Sequence, residues 1–69
     1  MTVRDLLSVM RVSNRIYIYE HSKLKDRLIF EGTVINNDAP CLDREVLYFG
    51  SEPYICDGRI AVRTNITYK

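Results

Sequence analysis

The chain is poor in the residues from which catalytic and metal sites are built. Its 69 residues include no tryptophan, one histidine, two cysteines and three isolated glycines. Cys41 and Cys56 lie far apart without a Cys-x-x-Cys spacing, and only His21 is available to help them bind a metal. We therefore expect no metal site and two free thiols.

Catalytic groups are equally scarce. His21 lies in a charged segment where no packing is expected to orient it, and no serine or cysteine has an adjacent base or a nucleophile motif. No glycine-rich loop is present to bind a phosphate, and so short a chain has little room for a substrate cavity. The sequence predicts a protein that is not an enzyme, with no catalytic residues and no cofactor.

Long apolar runs and an excess of one charge are also missing. No apolar stretch could span a bilayer, and the first ten residues, which include Asp5, do not resemble a signal peptide. We expect no membrane contact and a cytoplasmic location. Ten Lys and Arg residues against nine Asp and Glu give a net charge of +1, without the basic excess of a duplex-binding protein.

The composition nevertheless favours a folded domain. The hydrophobic fraction is 46%, which argues against disorder and predicts one small domain over residues 1–69. Because a domain of this size buries a limited core, a homo-oligomer or a complex with another protein is expected.

A short helix is predicted at the start of the chain. Thr2 and Asp5 have the spacing of a capping box. The apolar residues that follow recur at helical spacing, which predicts a two-turn helix over residues 3–10 that covers a sheet; they are Val3, Leu6, Leu7 and Met10.

Two hairpins are predicted next. Residues 15–20 and 27–31 have the alternating pattern of strands and are joined by the polar segment 21–26. Ile16 and Ile18 are predicted on one face of the first strand, and Tyr17 and Tyr19 on the other. We expect Leu28 and Phe30 to join the core and Ile29 to lie beside the tyrosines. Residues 33–39 suggest a surface loop, and residues 42–45 one helical turn with Pro40 near its start.

The second hairpin is predicted around Asp57-Gly58, a pair typical of a type I′ turn. This turn sets a register in which Phe49 faces Ile66 and Glu52 faces Arg63. A bend is expected at Gly50 and Pro53. Together the elements predict an α+β fold, in which a short N-terminal helix closes two antiparallel β-hairpins that form a small curled, barrel-like sheet.

The aromatic residues are the main candidates for function. A surface of tyrosine and arginine fits a protein partner, or a nucleotide or single-stranded nucleic acid that stacks on the rings. The third interpretation is that the tyrosines only cover the outer side of the sheet or form a homodimer interface. The predicted partner-binding residues are Arg15, Tyr17, Tyr19, Arg27, Ile29 and Tyr54.

Several segments carry a resemblance to a group of proteins. Residues 3–7 (Val-Arg-Asp-Leu-Leu), 15–19 (Arg-Ile-Tyr-Ile-Tyr), 29–32 (Ile-Phe-Glu-Gly), 42–46 (Leu-Asp-Arg-Glu-Val) and the terminal Ile-Ala-Val-Arg-Thr-Asn-Ile resemble small uncharacterised proteins of Gram-positive bacteria and their phages or mobile elements. The resemblance implies a protein that binds and inhibits a host protein, such as an immune-defence or CRISPR effector. Some proteins of this kind instead sequester a nucleotide signal.

Overall fold

The computed structural model describes residues 1–34 and 41–69, which form one helix and four strands. Helix α1 spans Val3–Ser8, and the strands are β1 (Arg15–Glu20), β2 (Arg27–Thr33), β3 (Val46–Cys56) and β4 (Arg59–Tyr68). No helix in this part of the chain is long and apolar enough to cross a bilayer. The loop and the Pro40 helix start predicted within residues 35–40 lie outside the described residues.

The strands form a single open sheet in the order β2-β1-β4-β3. β1 pairs with β2 antiparallel and β3 with β4 antiparallel, but β1 and β4 lie side by side in parallel at the centre. The predicted α+β barrel of two curled hairpins is therefore wrong. The molecule is a mostly β, mixed four-stranded sheet that does not close, because β2 and β3 remain as its two edges.

Helix α1 begins with the predicted capping box. The Thr2 hydroxyl accepts a hydrogen bond from the Asp5 amide, and the Asp5 carboxylate accepts one from the Thr2 amide. These bonds satisfy amides that have no partner within the helix. The helix ends at Ser8, two residues before the predicted end, and Val9 is 79% exposed.

The core lies between α1 and one side of the sheet. Val3, Leu6 and Leu7 of the helix pack with Ile16, Ile18, Ile66 and Tyr68 of the two central strands, and with Cys41. Backbone bonds hold the helix start to the turn that precedes β3: the Val3 amide donates to the Arg44 carbonyl at 3.0 Å, and the Arg4 amide to that of Leu42 at 2.9 Å. Residues 41–44 form a hydrogen-bonded turn where a helical turn was predicted.

The predicted register of β3 and β4 is confirmed over most of its length. Cys56 pairs with Arg59, Glu52 with Arg63, and Phe49 with Ile66, without a break at Gly50 or Pro53. Asp57 and Gly58 have φ values of 52° and 75°, as a type I′ turn requires. The irregularity lies instead between Val46 and Tyr48, and Val46 faces Tyr68.

A second irregularity changes which residues of β2 face the core. The register shifts between Ile18 and Tyr19, so Ile18 pairs with Phe30 while Tyr19 pairs with Leu28. Ile29 then packs against the core, and Leu28 is 45% exposed beside Tyr19. The expected positions of Ile29 and Leu28 are therefore exchanged, because a bulge reverses the alternation of the strand.

Candidate functional site

The side of the sheet opposite α1 carries four tyrosines. Neighbouring strand positions place Tyr17 beside Asn65 and Gly50, Tyr19 beside Thr67 and Tyr48, and Tyr54 beside Ala61. Paired positions share one side of a sheet, so all of these side chains point the same way. We call this side the tyrosine face, defined by Tyr17, Tyr19, Tyr48 and Tyr54.

The tyrosines of β1 and those of β3 form one continuous surface. Tyr17 and Tyr19 lie on β1 and Tyr54 lies on β3, and the parallel pairing of β1 with β4 brings these strands into one sheet. Tyr17, Tyr19 and Tyr54 are half-buried, and Tyr48 is 53% exposed. The tyrosine face is therefore accessible to a partner, and its side chains are partly packed against other residues of the sheet.

Arg63 organises one end of this face. Its guanidinium lies 4.3 Å from the centre of the Tyr17 ring, and its Nε donates to Glu52 Oε1 at 2.6 Å. Hydrogen bonds from Asn65 and then Arg63 lower the pKa of Glu52 below its usual range, and Glu52 in turn raises the pKa of Arg63. Tyr17, Arg63 and Glu52 therefore join the three strands β1, β4 and β3 across the face.

Tyr48 connects the face to the segment that joins β1 to β2. Its hydroxyl donates to Asp26 Oδ2 at 2.7 Å, while Asp26 Oδ1 lies 3.2 Å from His21 Nδ1. The bond from Tyr48 is the main reason that the pKa of Asp26 is lowered, and the same bond raises the pKa of Tyr48. His21, expected to be a free loop residue, thus has a carboxylate partner.

The other predicted site residues, which are Arg15, Arg27 and Ile29, do not all lie on the tyrosine face. Arg15 lies on the tyrosine face at the start of β1, where it pairs with Arg63 in the parallel ladder. Arg27 forms an ion pair with Glu20 at 3.1 Å and borders an open pocket of about 510 Å³ together with Tyr19 and Asp26. Ile29 does not belong to the face, because it packs against the core.

Sequence reasoning missed Asp26 as an anchor. The sequence shows Asp26 in a polar segment after β1, but its proximity to Tyr48 depends on the parallel contact of β1 and β4. Among the described residues, no group of three or more His, Cys, Asp and Glu side chains could hold a metal ion. Cys41 is buried, and burial raises the pKa of its thiol, whereas Cys56 is exposed.

No protein-family model, curated protein or solved structure matches this chain. The arrangement of its own surfaces is therefore the basis for a functional assignment.

Proposed function

We propose that the chain is a non-enzymatic protein-interaction module that binds a partner protein through the tyrosine face. The observation that carries the proposal is the gathering of four tyrosines from two non-adjacent strands on one open side of the sheet. Tyrosine provides a large, rigid contact area with a polar end, and tyrosine and arginine are enriched at the centres of protein interfaces.

The charges around the tyrosines favour a protein over a nucleic acid. Arg63 is paired with Glu52, and Arg27 with Glu20, so these two cations are already compensated. Nucleic-acid binding draws most of its affinity from cations that replace the counterions of phosphates. The carboxylates of Glu52 and Asp26 on or beside the face would oppose a phosphate backbone.

The alternative proposal is a binder of nucleotides or single-stranded nucleic acid. It would use the same tyrosines for stacking, with Arg15, Lys23, Lys25 and Arg27 near the phosphates. The resemblance to phage and mobile-element proteins supports a host protein as the partner in the first proposal. A bound nucleotide signal would fit the second.

Partner capture from a bacterial lysate distinguishes the two proposals. We expect the wild-type protein to retain a stoichiometric protein partner at moderate salt, and Tyr19→Ala and Tyr54→Ala to lose it. Leu24→Ala is the matched control, since Leu24 is 98% exposed and is not a residue of the tyrosine face. Circular dichroism of each variant would verify that the fold is kept.

Two results would contradict the protein-interaction proposal. One is capture that is equal in wild type and in both tyrosine variants. The other is an eluate with nucleotide absorbance and no protein, together with binding to oligonucleotides that weakens steeply with salt.

A further inference from the structure

The side of the sheet that carries the core continues, uncovered, along the outer half of β3 and β4. Ile66 is fully buried, but Val62 and Ile60, on the same side of β4, are 56% and 82% exposed. On β3, Ile55 pairs with Ile60 and is 79% exposed, and Phe49 pairs with Ile66 and is 55% exposed. We call Phe49, Ile55, Ile60 and Val62 the arm surface.

The difference in length between helix and strands explains this exposure. A helix of six residues is about 9 Å long, whereas strands of ten or eleven residues extend over about 35 Å. Helix α1 therefore covers the end of β4 that contains Ile66, and the pair β3 and β4 extends past it as an arm. Phe49 pairs with Ile66 but remains exposed on the edge strand β3. The longest dimension of the molecule, 35 Å, agrees with an extended arm.

We propose that a second copy of this chain covers the arm surface, so that the protein is a two-fold symmetric dimer with the arms packed face to face. In such a dimer each copy presents the same patch to the other, which requires a surface that does not repel itself. The exposed residues of this side of the arm carry no charge; they are Phe49, Ser51, Pro53, Ile55, Ile60 and Val62.

The available area agrees with a small dimer interface. Met1 and Leu47 border Phe49 around an open pocket of about 380 Å³, so the exposed apolar surface continues from Phe49 toward the start of β3. At roughly 100 Å² for each large apolar side chain, scaled by its exposure, these six residues offer on the order of 400 Å² of apolar area per copy.

Homodimer interfaces are about two-thirds apolar, so this area corresponds to roughly 600 Å² per copy and 1,200 Å² in total. That total is at the lower limit of stable specific interfaces. An exposed apolar patch of this size falls in the range of about 300 to 600 Å² that is typical of the largest patch on a monomer, and such patches are often binding surfaces.

Pro53 argues for packing between faces and against pairing between edges. β3 is an edge strand of the sheet, and its register with β4 is unbroken from the turn to Pro53, which pairs with Val62. In this register the backbone nitrogen of Pro53, which carries no hydrogen, points away from β4 toward the open edge. A second β3 strand added at this edge would lack a hydrogen bond in its middle. Two sheets stacked about 10 Å apart need no such bond.

The dimer has a consequence for binding, which rests on the proposed function of the tyrosine face. Packing through the arm surfaces leaves both tyrosine faces directed outward, because they lie on the opposite side of each sheet. The dimer is then bivalent, and a partner that presents two copies of its own site would bind with increased avidity.

Sedimentation equilibrium over a concentration series tests the dimer. We expect the wild-type protein to approach twice its 8.1 kDa chain mass at concentrations above roughly micromolar. Ile60→Lys and Ile55→Lys should raise the dimer dissociation constant by at least about a hundredfold, because each places two buried charges in the symmetric interface. Leu24→Lys introduces the same side chain outside the arm surface and should leave the dissociation constant unchanged.

Ile55 and Ile60 are so exposed in the single chain that their lysine variants should keep the wild-type circular dichroism spectrum. A wild-type protein that stays monomeric at several hundred micromolar would overturn the proposal, and so would a dimer that survives both arm variants. Neither result depends on partner capture, so failure of the dimer and failure of the tyrosine face are distinguishable.

Discussion

Ile60 and Ile66 lie on the same side of β4 but in opposite surroundings. Ile66 has no exposed surface and contacts the core, whereas Ile60 is 82% exposed on the arm. The alternation of apolar residues predicts the side of the sheet for both. It cannot predict how far along the strand the helix reaches, since coverage depends on where α1 is placed by the turn at 41–44.

This difference gives a prediction for a conservative pair of substitutions. Ile66→Val should lower the free energy of unfolding by about 1 kcal/mol, because it removes a methylene group from a packed core. Ile60→Val should change it by less than about 0.3 kcal/mol in dilute protein, since the lost group contacts water. Urea denaturation of both variants is the measurement. Equal losses would show that the arm is covered within a single chain.

At the scale of elements, the turn between β3 and β4 fixes the arm. Gly58 has a φ of 75°, a conformation that costs other residues about 1 to 2 kcal/mol. Gly50, within β3, has no atom within 4 Å of the position that a Cβ would occupy.

The two glycines therefore predict opposite results for one substitution. Gly58→Ala should destabilise the protein by about 1 kcal/mol, because alanine is strained at positive φ. Gly50→Ala should be neutral or stabilising by up to about 1 kcal/mol, because it restricts the unfolded chain at no steric cost. Thermal and urea denaturation would measure both. A Gly58→Ala protein as stable as wild type would contradict the role assigned to the turn.

Local patterns predicted individual elements better than their arrangement. The capping box of Thr2 and Asp5, the Asp57-Gly58 turn and most of the β3–β4 register depend on neighbouring or closely spaced residues, and each is present. The parallel contact of β1 and β4 joins segments about fifty positions apart in the sequence, with Ile18 beside Ile66. Alternation is the same for parallel and antiparallel neighbours, so it could not reveal the order of the sheet.

The candidate site shows the same limit. Tyr17, Tyr19 and Tyr54 could be selected as surface aromatics from the alternation of their strands, and all three lie on the tyrosine face. Ile29 was placed there by the same rule and lies against the core, because the bulge beside Tyr19 cannot be read from alternation. The link from Tyr48 to Asp26 crosses the central strands and follows only from the sheet order.

At the scale of the whole molecule, three carboxylates stabilise the fold at different places. Asp5 caps α1, Asp26 holds the segment after β1 to Tyr48 on β3, and Glu52 links β3 to Arg63 on β4. Hydrogen bonds in the folded state lower the pKa of each one: from Thr2 to Asp5, chiefly from Tyr48 to Asp26, and chiefly from Asn65 to Glu52.

A lowered pKa in the folded state means that the ionised form stabilises the fold. That stabilisation is complete above the unfolded-state pKa of about 4 and is lost as the pH falls through the lower folded-state values. We therefore expect the urea midpoint of the wild-type protein to be nearly constant from pH 7 to about pH 5 and to decrease steadily below it.

Tyr48→Phe provides a specific test, because it removes the hydroxyl that lowers the pKa of Asp26 most. The variant should have a lower midpoint than wild type near pH 6 and a smaller further loss toward pH 3, since less stabilisation remains to be titrated. Asp26→Asn should do the same, and the double variant should add little to either single one, because both remove one interaction. If Tyr48→Phe instead had the full acid sensitivity of the wild type, the bond from Tyr48 to Asp26 would not be what couples β3 to the segment between β1 and β2.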